Sequence, residues 1–115
     1  MVKKRIKSFS HAIRGIADFI RLGANAKIQL VAALAITLAG FLLDFGPYDW
    51  IAVVLCIGIV LSAEAMNTAV ERLADAIQLE QDERIRLVKD VAAGAVLITA
   101  IASMVVAILV VWKRL

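Results

Sequence analysis

Cysteine is nearly absent from this chain: Cys56 stands alone within an apolar run. That excludes an intrachain disulfide and suggests no zinc site. Aromatic residues make up only 6% of the 115 residues. The excess of 13 Lys and Arg over 10 Asp and Glu therefore does not read as a nucleic-acid surface, and anionic lipid headgroups are the expected partner of the basic charge. Glycine-rich phosphate loops are also missing. Neither GxxxxGK(S/T) nor GxGxxG occurs, so any nucleotide must be held by side chains at a helix junction. No internal repeat or low-complexity tract is visible. The basic N-terminal stretch leads into an amphipathic segment, not an unbroken apolar core, so a cleavable signal peptide is not expected.

What the chain has in abundance is apolar surface. Hydrophobic residues make up 63% and the mean hydropathy is +0.90, where about 45–50% apolar is usual for a soluble domain. The length suits one domain, residues 1–115. The pattern predicts an all-α membrane protein with three transmembrane helices and an N-terminal amphipathic surface helix. The surface helix covers about 3–22, with Ile6, Phe9, Ile13, Ile16 and Ile20 on one stripe and basic residues mostly off it. The first span is read at 28–45, near the minimum length for crossing. A polar turn with Asp44, Gly46, Pro47 and Asp49 follows, flanked by Tyr48 and Trp50 as in an interfacial aromatic belt. The second span runs from Trp50 through a cytoplasmic extension to Ile77. Residues 78–90 read as a charged linker, and the third span is 91–112, capped by Lys113 and Arg114. Seven basic residues precede the first span and none lies in the 44–49 turn. The positive-inside rule then places the N-terminus in the cytoplasm, against the mild dissent of Lys113 and Arg114.

The second span carries the unusual feature. Glu64, Asn67, Glu71 and Asp75 follow one another at spacings of 3, 4 and 4, which puts them on one helical face. No acidic or basic residue occurs between Trp50 and Ala63. Carboxylates in or beside a bilayer core are costly, so a stripe of them points to function. Glu64 lies about 21 Å along the helix from Trp50, in the cytoplasmic half of the core, and Glu71 lies about 10 Å further, near the interface. Glu64 can thus meet a lipid headgroup, and Glu71 something water-soluble. A carboxylate tuned by apolar surroundings can accept the proton of an alcohol, and a second one can help hold Mg²⁺. A polar seam that only fixes helix register, and a proton or cation path, are the competing readings. A transport path should cross the bilayer, and this stripe is absent from the outer half. Three thin helices can hardly shield such a stripe, which favours a homo-oligomer. The small residues at 92–95, continued by Thr99 and Ala102, read as close helix packing alone.

These segments resemble the small bacterial integral-membrane diacylglycerol kinases and undecaprenol kinases. AEAMNTAVERLAD (Ala63–Asp75) looks like the family motif of Glu, two residues, Asn-Ser/Thr-Ala, an aliphatic, Glu, three residues, Asp. KDVAAGAVL (Lys89–Leu97) resembles its third-helix signature, at the family spacing from Asp75. SFSHAIRGI (Ser8–Ile16) and NAKIQL (Asn25–Leu30) resemble its surface helix and the start of its first span. The resemblance implies a homotrimer in the bacterial inner membrane that transfers the γ-phosphate of ATP, with Mg²⁺, to a membrane lipid alcohol. It implies Glu64 as general base and Glu71 as metal ligand. His11, Asn67, Glu71, Glu80, Asp82, Lys89 and Asp90 fall at nucleotide- or site-organising positions. Asn25, Lys27 and Gln29 join Glu64 on the lipid side. The Lys89–Leu97 and Asn25–Gln29 segments look more like the undecaprenol branch than the diacylglycerol branch.

The chain also departs from the pattern. Asp82 stands where the family usually has His, His11 where Tyr is common, and Lys4 where it can carry Arg. Two residues ahead of Asn25 the family usually carries a second metal carboxylate; here the residue is Gly23. A catalytically weak or silent member that binds lipid is therefore the alternative expectation.

Overall fold

The computed structural model describes residues 1–77 and 82–115. All the regular structure among them is helical: α1 (Val2–Leu22), α2 (Ala26–Leu42), α3 (Pro47–Ile77) and α4 (Glu83–Arg114). The helices α3 and α4 are long and apolar enough to cross a membrane. α2 has 17 residues, about 26 Å at the usual rise, and completes the set of spans only marginally.

The amphipathic pattern of α1 has its expected consequence. Ile6, Phe9, Ile13 and Ile16 are exposed along one stripe, and no α1 residue is buried. The chain then turns by 100° between α1 and α2. A helix nearly perpendicular to a span lies along the membrane plane, which is where an exposed apolar stripe beside basic residues is stable.

α2 ends at Leu42, three residues before the expected end. Leu43 N–H donates to Ala39 O at 2.8 Å and Phe45 N–H to Gly40 O at 2.9 Å, closing the helix around Asp44 at φ 56°. Asp44 thus fills the left-handed position usually given to glycine. α3 begins at Pro47, a residue suited to a first helical turn because its missing N–H has no partner there anyway. The two helices lock through aromatics. Trp50 packs between Phe41 (5.0 Å between ring centroids) and Phe45 (5.5 Å). It does so across Gly40, where a Cβ would lie 2.5 Å from the Trp50 ring.

α4 begins at Glu83, eight residues before the expected span, so most of the segment read as linker is helix. Asp82 caps it by accepting from the Arg84 N–H at 2.8 Å. Arg86 then bridges Glu83 at 2.8 Å and Asp90 at 2.5 Å, at spacings of 3 and 4. Local ion pairs make a helix of charged sequence that looks like solvated coil by composition.

An ion cluster around a buried carboxylate closes the opposite end. The Asp49 side chain is 4% exposed and receives Lys113 Nζ at 2.6 Å, Arg114 Nη2 at 2.5 Å and the Gly46 N–H at 3.1 Å. The two cations that dissented from the charge-based orientation are thereby neutralised. The principal extents are 51, 42 and 21 Å. A slab about two helices thick leaves most apolar side chains facing outward, as lipid or a further subunit requires.

Candidate active site

The acidic stripe lies along α3 as its spacing requires, but its members differ in environment. Glu64 is 2% exposed, and its Oε1 is buried without a hydrogen-bond partner. Its neighbour Thr68 turns away, donating to the Glu64 carbonyl at 3.0 Å. Asn25 and Gln29, where the chain bends into α2, are the polar side chains beside the carboxylate. Neither makes a close hydrogen bond to Oε1. Lys27, expected with them, is exposed.

One turn along, Asn67 Nδ2 donates to Glu71 Oε1 at 3.3 Å, while Asn67 Oδ1 is buried and unpartnered. Another turn on, Asp75 holds Lys89 Nζ at 2.5 Å and ties α3 to the first turns of α4. This pairing raises the Lys89 pKa, chiefly through the hydrogen bond to Asp75. The ammonium therefore stays charged throughout the neutral range. Asp90 faces Arg86 on its own helix. Asp82 is occupied as the α4 cap, and its carboxyl is pushed down to about 2, first by the Arg84 side chain and then by the Arg84 backbone N–H.

The structure thus gathers Glu64, Asn67 and Glu71 with Asn25 and Gln29, and joins Asp75 to Lys89 at the mouth of the helix pair. His11 is exposed on α1 and has no polar contact within this group among the described residues. Glu80 lies outside the described residues. Arg86 and the Asp49 cluster were missed by the sequence reading. Arg86 had a detectable signal in its spacing from Glu83 and Asp90; Asp49 had none, because its partners lie 64 and 65 residues away.

An orphaned buried oxygen costs about 1–3 kcal/mol, more when charged, and needs a ligand or a proton to offset it. Two of them one turn apart, beside the Glu71 carboxylate, suit a hydroxyl-bearing lipid on one side and a cation-carrying phosphate on the other. No three His, Cys, Asp or Glu residues converge as a metal cage among the described residues. Mg²⁺ does not require one. It is commonly held by one or two protein carboxylates together with substrate phosphates and water, and Glu71 with the Asn67 oxygen fits that donor set.

Position 23 offers no further donor. Gly23 is the C-cap of α1 in extended conformation (φ −68°, ψ 128°). A Cβ there would lie 2.8 Å from the Phe19 carbonyl oxygen and 2.9 Å from its ring.

The sequence profile described as prokaryotic diacylglycerol kinase matches residues 10–111. An undecaprenol kinase of Bacillus subtilis (strain 168) is 36% identical over 109 residues, covering 95% of this chain and 89% of its own. A diacylglycerol kinase of Synechocystis sp. is 31% identical over 100 residues, covering 86% of this chain and 57% of its own length. The helices, the stripe and the matched length together place this chain in the prokaryotic diacylglycerol kinase family, a family of membrane lipid kinases.

Proposed function

We propose that the protein transfers the γ-phosphate of ATP to the hydroxyl of a membrane lipid alcohol, with undecaprenol preferred over diacylglycerol. The observation that carries this reading is the buried, unpartnered Glu64 oxygen on α3, one and two turns from Asn67 and Glu71. The lipid hydroxyl gives its proton to Glu64 as its oxygen attacks the γ-phosphorus, and ADP departs with the bridging oxygen. Asn67 and Glu71 would hold the nucleotide and its Mg²⁺, and the bound ion would offset phosphate charge. Lys89, held by Asp75, would reach toward the same phosphates. The undecaprenol preference is supported by the fuller match to the Bacillus relative and by the Lys89–Leu97 and Asn25–Gln29 segments.

The reading includes a homotrimer in the cytoplasmic membrane, with the N-terminus inside. Support comes from the thin slab, the outward apolar surface and the basic residues of α1. A silent lipid-binding member is the second reading, favoured by Gly23, which supplies no carboxylate and where an added Cβ would crowd Phe19.

The deciding experiment offers purified protein in detergent Mg-ATP with undecaprenol or diacylglycerol separately. Transfer to either excludes the silent reading, and the ratio gives the branch. Glu64→Gln should keep fold and assembly but lose about 10²-fold or more in transfer. Retention of more than about a tenth of the activity removes Glu64 from the base role.

A further inference from the structure

The antiparallel helices α3 and α4 are joined at both ends by charged side chains. At the mouth, Lys89 Nζ meets Asp75 at 2.5 Å. At the opposite end, Lys113 Nζ and Arg114 Nη2 meet Asp49 at 2.6 and 2.5 Å. Asp49 and Asp75 stand 26 residues apart on α3, and Lys89 and Arg114 stand 25 apart on α4. Those spans are about 39 and 38 Å at the helical rise, so one register satisfies both clamps. Between the clamps, no side-chain hydrogen bond links the two helices among the described residues. Thr99 turns back to the Val96 carbonyl of its own helix at 2.8 Å. Glu64 apart, the buried side chains of the pair are aliphatic: Val53, Val60, Ala74, Val96 and Val110. Aliphatic contacts in lipid re-seat readily one turn along, and a polar contact is what fixes register.

The two clamps are unequal. Lys89 and Asp75 are 37% and 59% exposed, and an exposed ion pair contributes little. That pair must also open when Lys89 turns to a phosphate. The Asp49 side chain is 4% exposed and also accepts the Gly46 N–H. A slip there strands a buried charge, which is costly. We propose that Asp49 with Lys113 and Arg114 pins the α3–α4 register, and so positions Lys89 and Asp90 against Asn67 and Glu71 about 33–39 Å away. The nucleotide role of those four residues rests on the lipid-kinase reading; the pin itself does not. A pin matters because the two halves of the site ride on different helices. Glu64, Asn67 and Glu71 belong to α3, and Lys89 and Asp90 to α4. A slip of one turn, about 5 Å, carries Lys89 away from Glu71, whose charge it feels in this register. The same slip leaves Glu64 beside Asn25 and Gln29. Asp49, Lys113 and Arg114 are therefore positioning residues for the nucleotide side, and touch no reactant themselves.

The test measures register and kinetics separately on the full chain in detergent. In a Cys56→Ala background, nitroxides are attached at Leu73→Cys and Met104→Cys, both positions being exposed. The labelled protein is diluted into unlabelled protein, so that only distances within one chain are read by pulsed electron resonance. The two sites are offset by about 20 Å along the helix pair, so a one-turn slip changes their separation by about 4 Å. Asp49→Asn should add such a shifted population, and Asp75→Asn should not. In kinetics, Asp49→Asn should raise the Mg-ATP KM about fivefold and leave the lipid KM unchanged. An unshifted distance in Asp49→Asn overturns the proposal, as does a slip in Asp75→Asn. An unchanged Mg-ATP KM, or a lipid KM that rises equally, also overturns it. Should Asp49→Asn fail to fold, Lys113→Gln combined with Arg114→Gln removes the same clamp from its exposed side and must shift the distance alike; an unshifted distance there overturns the pin. Failure of the kinase reading looks different. A parent protein that transfers phosphate to no alcohol rejects the kinase, while the distances, read without turnover, still decide the pin.

Discussion

Replacing Gly23 tests both the missing metal carboxylate and the reason a side chain is absent there. The sequence suggests that Gly23→Glu restores a ligand and that helix propensity alone could add up to about 1 kcal/mol. The second part does not apply, because Gly23 lies past the end of α1 in extended backbone. The added Cβ instead meets the Phe19 carbonyl oxygen at 2.8 Å, the same oxygen that accepts the Gly23 N–H at 2.7 Å. Relieving that contact opens the α1 cap or moves the Phe19 ring. Over-packing of this kind costs about 1–3 kcal/mol. The lost backbone freedom of glycine in the unfolded chain returns about 0.4–1 kcal/mol, since φ −68° suits any residue. A net destabilisation of about 1 kcal/mol is expected for Gly23→Ala, Gly23→Gln and Gly23→Glu alike, read by thermal or denaturant unfolding in detergent. Against that common background, the charge is isolated by comparing Glu with Gln in a magnesium titration of transfer. An added carboxylate beside the metal should lower half-saturating magnesium about tenfold, or about 1.4 kcal/mol. That is modest against the ~4 kcal/mol of two unit charges 4 Å apart at intermediate dielectric. If Glu and Gln titrate alike, the metal is completed by other groups. If Gly23→Ala is as stable as the parent, the steric argument is wrong.

Glu71→Gln should raise the magnesium requirement, because it removes a charged oxygen ligand while leaving Glu64 in place; an unchanged titration with lost turnover assigns Glu71 another role. Gly40→Ala should destabilise by about 1 kcal/mol net, over-packing against Trp50 and Phe45 outweighing the gain in helix propensity, with a change in Trp50 fluorescence on the same variant. Asp82 supplies a pH test. Its carboxyl is depressed to about 2 by Arg84, so its capping contribution is complete above the ordinary pKa near 4 and is lost as pH falls through about 2. An NMR titration of the Arg84 amide should have its midpoint near pH 2, and Asp82→Asn should abolish that titration while keeping the cap.

Periodicity made much of this fold legible. The i, i+3, i+4 stripe of α1 and the spacing of the α3 carboxylates need no tertiary information, since a helix alone determines which residues share a face. The start of α4 was misplaced because seven charges in thirteen residues look like solvated coil until Arg86 is paired with Glu83 and Asp90. The sequence puts Glu64 on the stripe but expects three helices to shield it poorly; its burial to 2% exposure within one chain and the orphaned Oε1 arise only from tertiary packing. At Gly23 the sequence reveals a missing carboxylate but not the crowding by Phe19, which arises only once α1 ends there.

The Asp49 cluster bears on how the chain can be handled and how it enters the membrane. In the proposed orientation, the last two cations must cross to the outer side. They do so beside a carboxylate already there at the start of α3, so the far end of the bundle is nearly neutral when assembled. Ending the chain at Trp112 would strand a buried anion at the opposite pole from the chemistry. Extending it past Leu115, which is 85% exposed, leaves the clamp intact. A label is therefore best carried after Leu115, on the side of the membrane where, in the proposed orientation, it reports insertion without entering the catalytic mouth.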